Sequence, residues 1–200
     1  MLLRRHIFGF IMATALLALP AMQAGAVDLE NTIYLELKDG RVTIEMRPDL
    51  APKHVARIKE LVRQKFYDGT VFHRVIEDFM AQTGDPTGTG TGGSGQHIDA
   101  EFSSEKHLRG ALSMARFDPG TADGDFFIIV GHLPGFDAGR AAPDDPGFAV
   151  FGRVVDGMEV VRAILAAPKS ATEGEGFMRG QMLEPRVRIV SARRIEAAAP

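Results

Sequence analysis

The residues best suited to chemistry lie between positions 72 and 85, where Arg74 and Gln82 stand eight residues apart among Phe and Met side chains. A guanidinium stays charged at any ordinary pH and presents several N–H donors, so it can stabilise electron density that develops during a reaction. On residue type alone, an arginine is more often found in a surface ion pair, and Phe and Met more often belong to a core. The role of these residues therefore depends on the elements that carry them.

Three other patterns with possible chemistry are disfavoured by their surroundings. His73 could belong to a hydrolase triad, but the sequence has no G-x-S-x-G turn and His73 lies inside a strand pattern, so we interpret it as structural. The glycines at 88–93 satisfy G-x-G-x-x-G, yet a loop pattern rather than a helix follows them. The histidines at 54, 97, 107 and 132 show no metal-ligand spacing. We expect no metal and no other cofactor.

Alternating apolar residues predict a hairpin at the start of the domain. Residues 33–37 and 42–46 alternate between apolar and polar, and Asp39-Gly40 lies between them, a typical tight-turn sequence. The period then changes, and apolar residues at helical spacing follow Pro52. This pattern predicts an amphipathic helix that ends near Phe66.

Five shorter apolar runs predict further strands, and a second helix follows the last of them. Asp156 is expected to cap this helix, with Glu159 in the capping-box position. A final strand is expected around Ile189. Because strands do not alternate with the helices, we expect the helices to plug the ends of a closed or nearly closed β structure. The five runs are 71–76, 79–82, 111–115, 126–130 and 149–155.

The first 26 residues have the pattern of a secretory signal peptide. Two arginines precede an apolar run from 7 to 19, and Ala-Gly-Ala at 24–26 supplies a small-x-small cleavage site. The run is shorter than the roughly 20 residues that span a bilayer, and a buried N-terminal helix is the alternative. We expect cleavage near Ala26 and an exported, periplasmic domain at 27–200.

Composition gives little reason to expect a charged partner. The predicted leader carries two arginines and no acidic residue, so its removal takes the net charge from −3 to −5. This mild acidity does not favour nucleic acid or an anionic membrane as a partner. The chain has no cysteine, which excludes disulfide bonds and a lipid anchor attached through cysteine. We expect a monomer.

Five stretches resemble the cyclophilins, a family of peptidyl-prolyl cis–trans isomerases. F-H-R-V-I at 72–76 and F-M-A-Q-T-G-D at 79–85 resemble the central signature of the family. L-S-M-A at 112–115 and F-F-I at 126–128 resemble its next two strands. A-V-F-G-R-V-V-D-G-M-E-V-V at 149–161 resembles its late strand and second helix. The stretches occur in the family's order.

The resemblance covers residues 33–192 and implies both a fold and an activity. The implied fold is dominated by β structure: an eight-stranded antiparallel β-barrel capped by two α-helices. The implied activity is cofactor-free rotation about X-Pro bonds in unfolded or exported polypeptides that contain proline. The rotation faces a barrier of about 18–20 kcal/mol but breaks no bond, so a catalyst needs to grip the prolyl ring and stabilise the twisted amide.

The resemblance also assigns roles to individual residues. Arg74 matches the family's catalytic arginine, which donates to the proline nitrogen or the neighbouring carbonyl, and Gln82 matches the residue that orients it. The two would meet if they lie on adjacent antiparallel strands that face one groove. The glycine-rich loop would form part of that groove. The residues expected to bind substrate are Phe79, Met80, Gly90, Ala115, Arg116, Asp125, Phe127, Phe136 and Phe148.

The chain departs from the family pattern at several points. Asp125 replaces a usual Gln, and Arg116 stands where Asn is common. Asp125 could pair with Arg116, pair with Arg74 and weaken it, or attract a basic substrate residue; we favour the first. The chain has no Trp, which predicts weak cyclosporin binding. Segments 139–146 and 169–180 have no role that the sequence reveals. A peptide-binding or chaperone module with little turnover is the alternative function.

Overall fold

The computed structural model describes residues 28–140 and 145–195 of the 200-residue chain. The predicted signal peptide and cleavage site lie outside these residues. The described residues contain two α-helices and eight strands. The helices are α1 (Pro52–Arg63) and α2 (Met158–Ala166). The strands are β1 (Thr32–Leu37), β2 (Gly40–Met46), β3 (Val71–Ile76), β4 (Met80–Thr83), β5 (Ala111–Met114), β6 (Phe126–Ile129), β7 (Val150–Asp156) and β8 (Met182–Arg194).

The eight strands form a closed antiparallel barrel, as predicted. Their order around the barrel is β1-β2-β7-β5-β6-β4-β3-β8, and β8 pairs with β1 to close it. The predicted hairpin is present, with Leu37 opposite Gly40 at its turn. β8 is much longer than its sequence pattern suggested, because it pairs with β1 along one part and with β3 along another. Closure leaves no unpaired edge strand in the barrel.

The strands beneath the site are buried on both faces. Every residue of β4, β5 and β6 is buried, so their sequences do not alternate between apolar residues on one face and exposed polar residues on the other. Leu112, Phe126 and Ile128 point into the barrel core. Their neighbours Phe127 and Ile129 point outwards into a second apolar cluster. The barrel therefore has an inner core and an outer pocket that share the same strands.

The two helices close opposite ends of the barrel. A Cβ on Gly124, just before β6, would lie 2.6 Å from Leu61 of α1, which places α1 at that end. A Cβ on Gly40, at the turn between β1 and β2, would lie 2.8 Å from Val160 of α2. α1 ends at Arg63 rather than near Phe66. Among the described residues, no helix is both long and apolar enough to cross a membrane.

The predicted capping box at the start of α2 is wrong. Asp156 is the last residue of β7 and pairs with Thr43 of β2, so it is committed to the sheet. The cap position is held by Gly157 in a left-handed conformation with φ of 88°, and no side chain caps the helix. A Cβ at Gly157 would lie 2.1 Å from the Arg41 carbonyl oxygen, so the close approach of strand and helix requires glycine.

Candidate active site

One row of side chains crosses four neighbouring strands on the outer face of the barrel. Arg74 of β3 lies opposite Gln82 of β4, Gln82 lies opposite Phe127 of β6, and Phe127 lies opposite Ser113 of β5. Residues directly opposite each other in antiparallel strands share a face of the sheet. The register of β3 shifts just before Arg74, a type of irregularity that can re-aim a side chain. The row thus brings Arg74 and Gln82 together as predicted.

The Arg74 guanidinium is half-buried and held by two amide oxygens. Its Nη1 donates to Gln82 Oε1 at 3.1 Å, and its Nε donates to Gln181 Oε1 at 2.7 Å. The Phe177 ring centre lies 5.2 Å from Arg74 Cζ. Burial lowers the pKa of Arg74 and the nearby Asp125 opposes this effect, but a guanidinium remains charged at neutral pH. Of its five N–H bonds, three have no acceptor among the described residues.

Four phenylalanine rings and Met80 build an apolar pocket beside the guanidinium. The ring centres of Phe127 and Phe136 are 5.6 Å apart, and those of Phe127 and Phe148 are 5.9 Å apart. Phe136 and Phe148 lie closer, at 4.4 Å, and Phe79 meets Phe136 edge-on at 5.2 Å. Flat apolar walls of this kind can hold a saturated five-membered ring.

A buried network of polar groups packs against Phe136, whose ring centre lies 5.9 Å from that of His107. Asp137 Oδ1 accepts a hydrogen bond from the His107 main chain and lies 2.9 Å from His107 Nδ1, while His107 Nε2 lies 3.0 Å from Ser113 Oγ. Burial lowers the pKa of His107, against the opposing effect of Asp137. Although the order resembles a hydrolase triad, Ser113 is fully buried and donates to the Ala149 carbonyl. We therefore interpret this polar network as structural rather than catalytic.

Asp85 organises the glycine-rich loop that forms one wall of the cavity. Burial acts to raise the pKa of Asp85, but hydrogen bonds from Thr87 and from loop N–H groups outweigh it and hold the pKa at about 2. A Cβ at Gly92 would lie 2.2 Å from Asp85 Oδ1, so this position requires glycine. The main-chain donors to the carboxylate are Thr87 at 2.7 Å, Thr89 at 3.0 Å, Gly90 at 2.6 Å and Gly92 at 3.1 Å.

The predicted ion pair between Asp125 and Arg116 is wrong. Arg116 Cζ lies 4.6 Å from the Phe148 ring centre, and its guanidinium donates to the Gly147 carbonyl. Asp125 Oδ2 instead accepts from Gln82 Nε2 at 3.1 Å, and its buried Oδ1 has no partner among the described residues. Burial raises the pKa of Asp125 well above its ordinary value. Asp125 therefore orients the Gln82 amide so that its oxygen faces Arg74.

The site residues nominated from the sequence all line one cavity of about 630 Å³. A larger surface depression of about 1110 Å³, beside Tyr34 and Arg41, contains none of them. Phe177 and Met178 of segment 169–180 also line the cavity, although no sequence pattern pointed to them. The cavity residues predicted from the sequence are Arg74, Gln82, Phe79, Met80, Gly90, Ala115, Arg116, Asp125, Phe127, Phe136 and Phe148.

Comparison with protein families decides what this site belongs to. The family model described as "Cyclophilin type peptidyl-prolyl cis-trans isomerase/CLD" matches residues 32–194. The chain belongs to this family. The match confirms the resemblance found in the sequence and identifies the chain as a member of an isomerase family. It spans the whole barrel, from the first residue of β1 to the last residue of β8.

Individual relatives agree with this assignment. A protein of Brucella suis named "Probable peptidyl-prolyl cis-trans isomerase" is 46% identical over 173 residues, which cover 80% of this chain and 82% of the relative. A Schizosaccharomyces pombe peptidyl-prolyl cis-trans isomerase is 39% identical over 135 residues, covering 65% of this chain and 82% of that protein. Both names describe the activity that the family implies.

Solved structures confirm the fold. The Cryptosporidium parvum cyclophilin, crystallised in the presence of the dipeptide Ala-Pro, superimposes with a TM-score of 0.69 at 26% identity, covering 83% of this chain and 99% of that one. A Hirschia baltica cyclophilin superimposes with a TM-score of 0.65 at 27% identity, covering 87% of this chain and 77% of that one. The barrel with two capping helices is therefore the cyclophilin fold.

Asp85→Asn is expected to lower the free energy of unfolding by about 2 kcal/mol near pH 7, because an amide turns an N–H group towards the loop's own N–H donors. The folded pKa of about 2 lies below the ordinary 3.8, so the wild-type advantage is complete above about pH 4 and is lost as the pH falls towards 2. Urea unfolding across this range measures it, with Asp39→Asn as an exposed control. A difference independent of pH would contradict the assigned role of the carboxylate.

Asp125→Asn is expected to raise the melting temperature near pH 8 by roughly 2–4 °C, the effect of about 1 kcal/mol in a domain of this size. Because the folded pKa of Asp125 is raised, the stability it contributes is complete below about pH 4 and is lost as the pH rises through the folded pKa. The neutral amide escapes this loss, so the advantage of Asp125→Asn should shrink as the pH falls to 4. Thermal unfolding at both pH values is the measurement, and a lower melting temperature for the variant at pH 8 would contradict it.

Proposed function

We propose that this isomerase accelerates X-Pro rotation in unfolded polypeptides after export from the cytoplasm, with Arg74 as its catalytic residue. The observation that carries the proposal is the position of the guanidinium, which two amide oxygens fix beside an apolar pocket walled by phenylalanine rings. Rotation makes and breaks no covalent bond, so neither a nucleophile nor a metal is required. Among residues 28–140 and 145–195, no group of three or more His, Cys, Asp or Glu side chains could hold a metal ion.

The pocket and the guanidinium have separate tasks in this mechanism. Phe127, Phe136 and Phe148 hold the prolyl ring, which anchors one side of the rotating bond. As the amide twists, resonance is lost and the proline nitrogen gains basicity. An N–H of Arg74 that no protein acceptor takes can donate to that nitrogen or to the neighbouring carbonyl. This bond strengthens only in the twisted state, and each ~1.4 kcal/mol of such preference gives a tenfold increase in rate.

The form of the groove favours extended chains of varied sequence. Its walls include main chain at Gly90, Gly92 and Gly93 of the glycine-rich loop, and Ala115 lies beside them just after β5. Hydrogen bonds to a substrate backbone do not depend on the substrate's side chains. The segment that carries the proline must be extended and accessible to lay its backbone in such a groove, as it is in an unfolded polypeptide. The Ala-Pro dipeptide used with the C. parvum cyclophilin is the simplest ligand of this kind.

Arg74→Ala is expected to lower kcat/KM for an Ala-Pro peptide about 100-fold, the usual loss when one preorganised donor is removed. Exchange NMR on the peptide, with and without protein, measures the rate directly. Arg153→Ala is the matched control, because Arg153 forms an exposed ion pair with Glu45 on the barrel surface. Unchanged acceleration by Arg74→Ala would remove Arg74 from the mechanism.

The same measurement separates the enzyme from a binding or chaperone module. Asp125 favours that alternative, because its carboxylate binds the Gln82 amide, and Gln82 in turn holds Arg74. The raised pKa of Asp125 supports the enzyme, because the shift disfavours the ionised carboxylate that would attract the charge of Arg74 away from a substrate. Peptide binding by the wild-type protein without any acceleration of exchange would establish the module and overturn the enzyme.

Export rests on the sequence of the first 26 residues. Expression of the full chain in a Gram-negative bacterium should give a periplasmic protein whose N-terminus is Val27, as the small-x-small site at 24–26 predicts. N-terminal sequencing after cell fractionation measures both properties. Replacing residues in the apolar run at 7–19 by charged ones should leave the chain uncleaved in the cytoplasm. A cytoplasmic, uncleaved wild-type protein would contradict export.

A further inference from the structure

Gln181 contacts the catalytic arginine from outside the cavity. The bond from Arg74 Nε to Gln181 Oε1 measures 2.7 Å, shorter than the 3.1 Å bond from Nη1 to Gln82. Unlike Gln82, Gln181 does not line the cavity, so a substrate in the groove would not touch it. It lies 107 positions along the chain from Arg74. Any effect of Gln181 on the reaction must therefore act through Arg74.

The main chain holds Gln181 firmly beside β3. Its carbonyl accepts from the Val75 N–H at 2.9 Å, one residue after Arg74, and its own N–H donates to the Met178 carbonyl at 3.0 Å. The next residue, Met182, lies directly opposite Arg74 in the pairing of β3 with β8. These main-chain hydrogen bonds hold the Cα of Gln181 in place, so its amide oxygen is positioned beside Arg74 without substrate.

Two anchor points fix the plane of the guanidinium. One amide oxygen holds Nε and another holds Nη1, so rotation about the last bonds of the Arg74 side chain would break at least one of them. Both acceptors are neutral, in contrast to a carboxylate, so they orient the group without cancelling its charge. The Phe177 ring adds a contact to the guanidinium at 5.2 Å. The N–H bonds that remain free are those available to the twisted amide.

We propose that Gln181 is a positioning residue, which holds the Arg74 guanidinium in the orientation required by the transition state. The proposal rests on the proposed function of Arg74 and deepens it. Gln181 supplies preorganisation rather than binding, so its loss should affect the rate at saturating substrate more than the affinity for substrate.

Gln181→Met tests the proposal, since methionine keeps the length and volume of the side chain but offers no strong acceptor. We expect kcat to fall about tenfold while KM stays within about twofold, because a misplaced catalytic group costs rate rather than binding. The Arg74 Nε–H signal in NMR spectra should lose its protection from solvent exchange. Gln64→Met, at an exposed position at the end of α1, is the matched control for both measurements.

Combination with Arg74→Ala shows whether Gln181 acts through Arg74. In the Arg74→Ala background, Gln181→Met should cause no further loss of rate, whereas independent effects would multiply. Unchanged kcat in Gln181→Met, or a further tenfold loss in the Arg74→Ala background, would overturn the proposal. If the wild-type protein does not accelerate exchange at all, the proposed function fails instead, and an unchanged Nε–H signal in Gln181→Met would still refute the positioning role.

Discussion

The orientation of the Arg74 guanidinium depends on the closure of the barrel. β3 lies between β4 and β8, and each side supplies one amide oxygen: Gln82 from β4 and Gln181 from the residue before β8. A strand at an open sheet edge would have a neighbour on one side only and could fix one end of the group. Closure therefore gives the site more than stability, because it provides an acceptor on each flank of the strand that carries the arginine.

The pocket is ordered by the same strands that form the core. Along β6, Phe126 packs inside the barrel while the next residue, Phe127, packs outside against Phe136. Because strands alternate their side chains between faces, fixing the inner residue also fixes the outer one. Asp85 fixes the shape of the glycine-rich loop by accepting hydrogen bonds from four of its main-chain N–H groups. Substrate thus meets a groove whose shape is set before binding, which lowers the entropy cost of reaching the transition state.

Local patterns predicted a closed or nearly closed β structure with helices at its ends, and the resemblance to the cyclophilins supplied the eight-stranded barrel and the site residues. The failures have physical causes. The hairpin at Asp39-Gly40 and the pairing of Arg74 with Gln82 follow from short-range signals or from the motif that contains both residues. The predicted capping role of Asp156 is wrong because Asp156 belongs to β7 and pairs with Thr43 of β2. The ion pair of Asp125 with Arg116 failed because a carbonyl and an aromatic ring compete for the guanidinium. Gln181 could not be found, since nothing in its local sequence indicates a partner 107 positions away.

The central claim is that a fixed guanidinium, and not its charge alone, stabilises the twisted amide. Arg74→Lys tests this most directly, because lysine keeps the charge but lacks the planar group that two amide oxygens can hold. The decisive measurement is exchange NMR at saturating peptide, combined with the peptide Kd of each protein. The account predicts a Kd within about threefold of wild type and a rate at least about tenfold lower. A variant that retains the wild-type rate would show that charge suffices and would contradict the account.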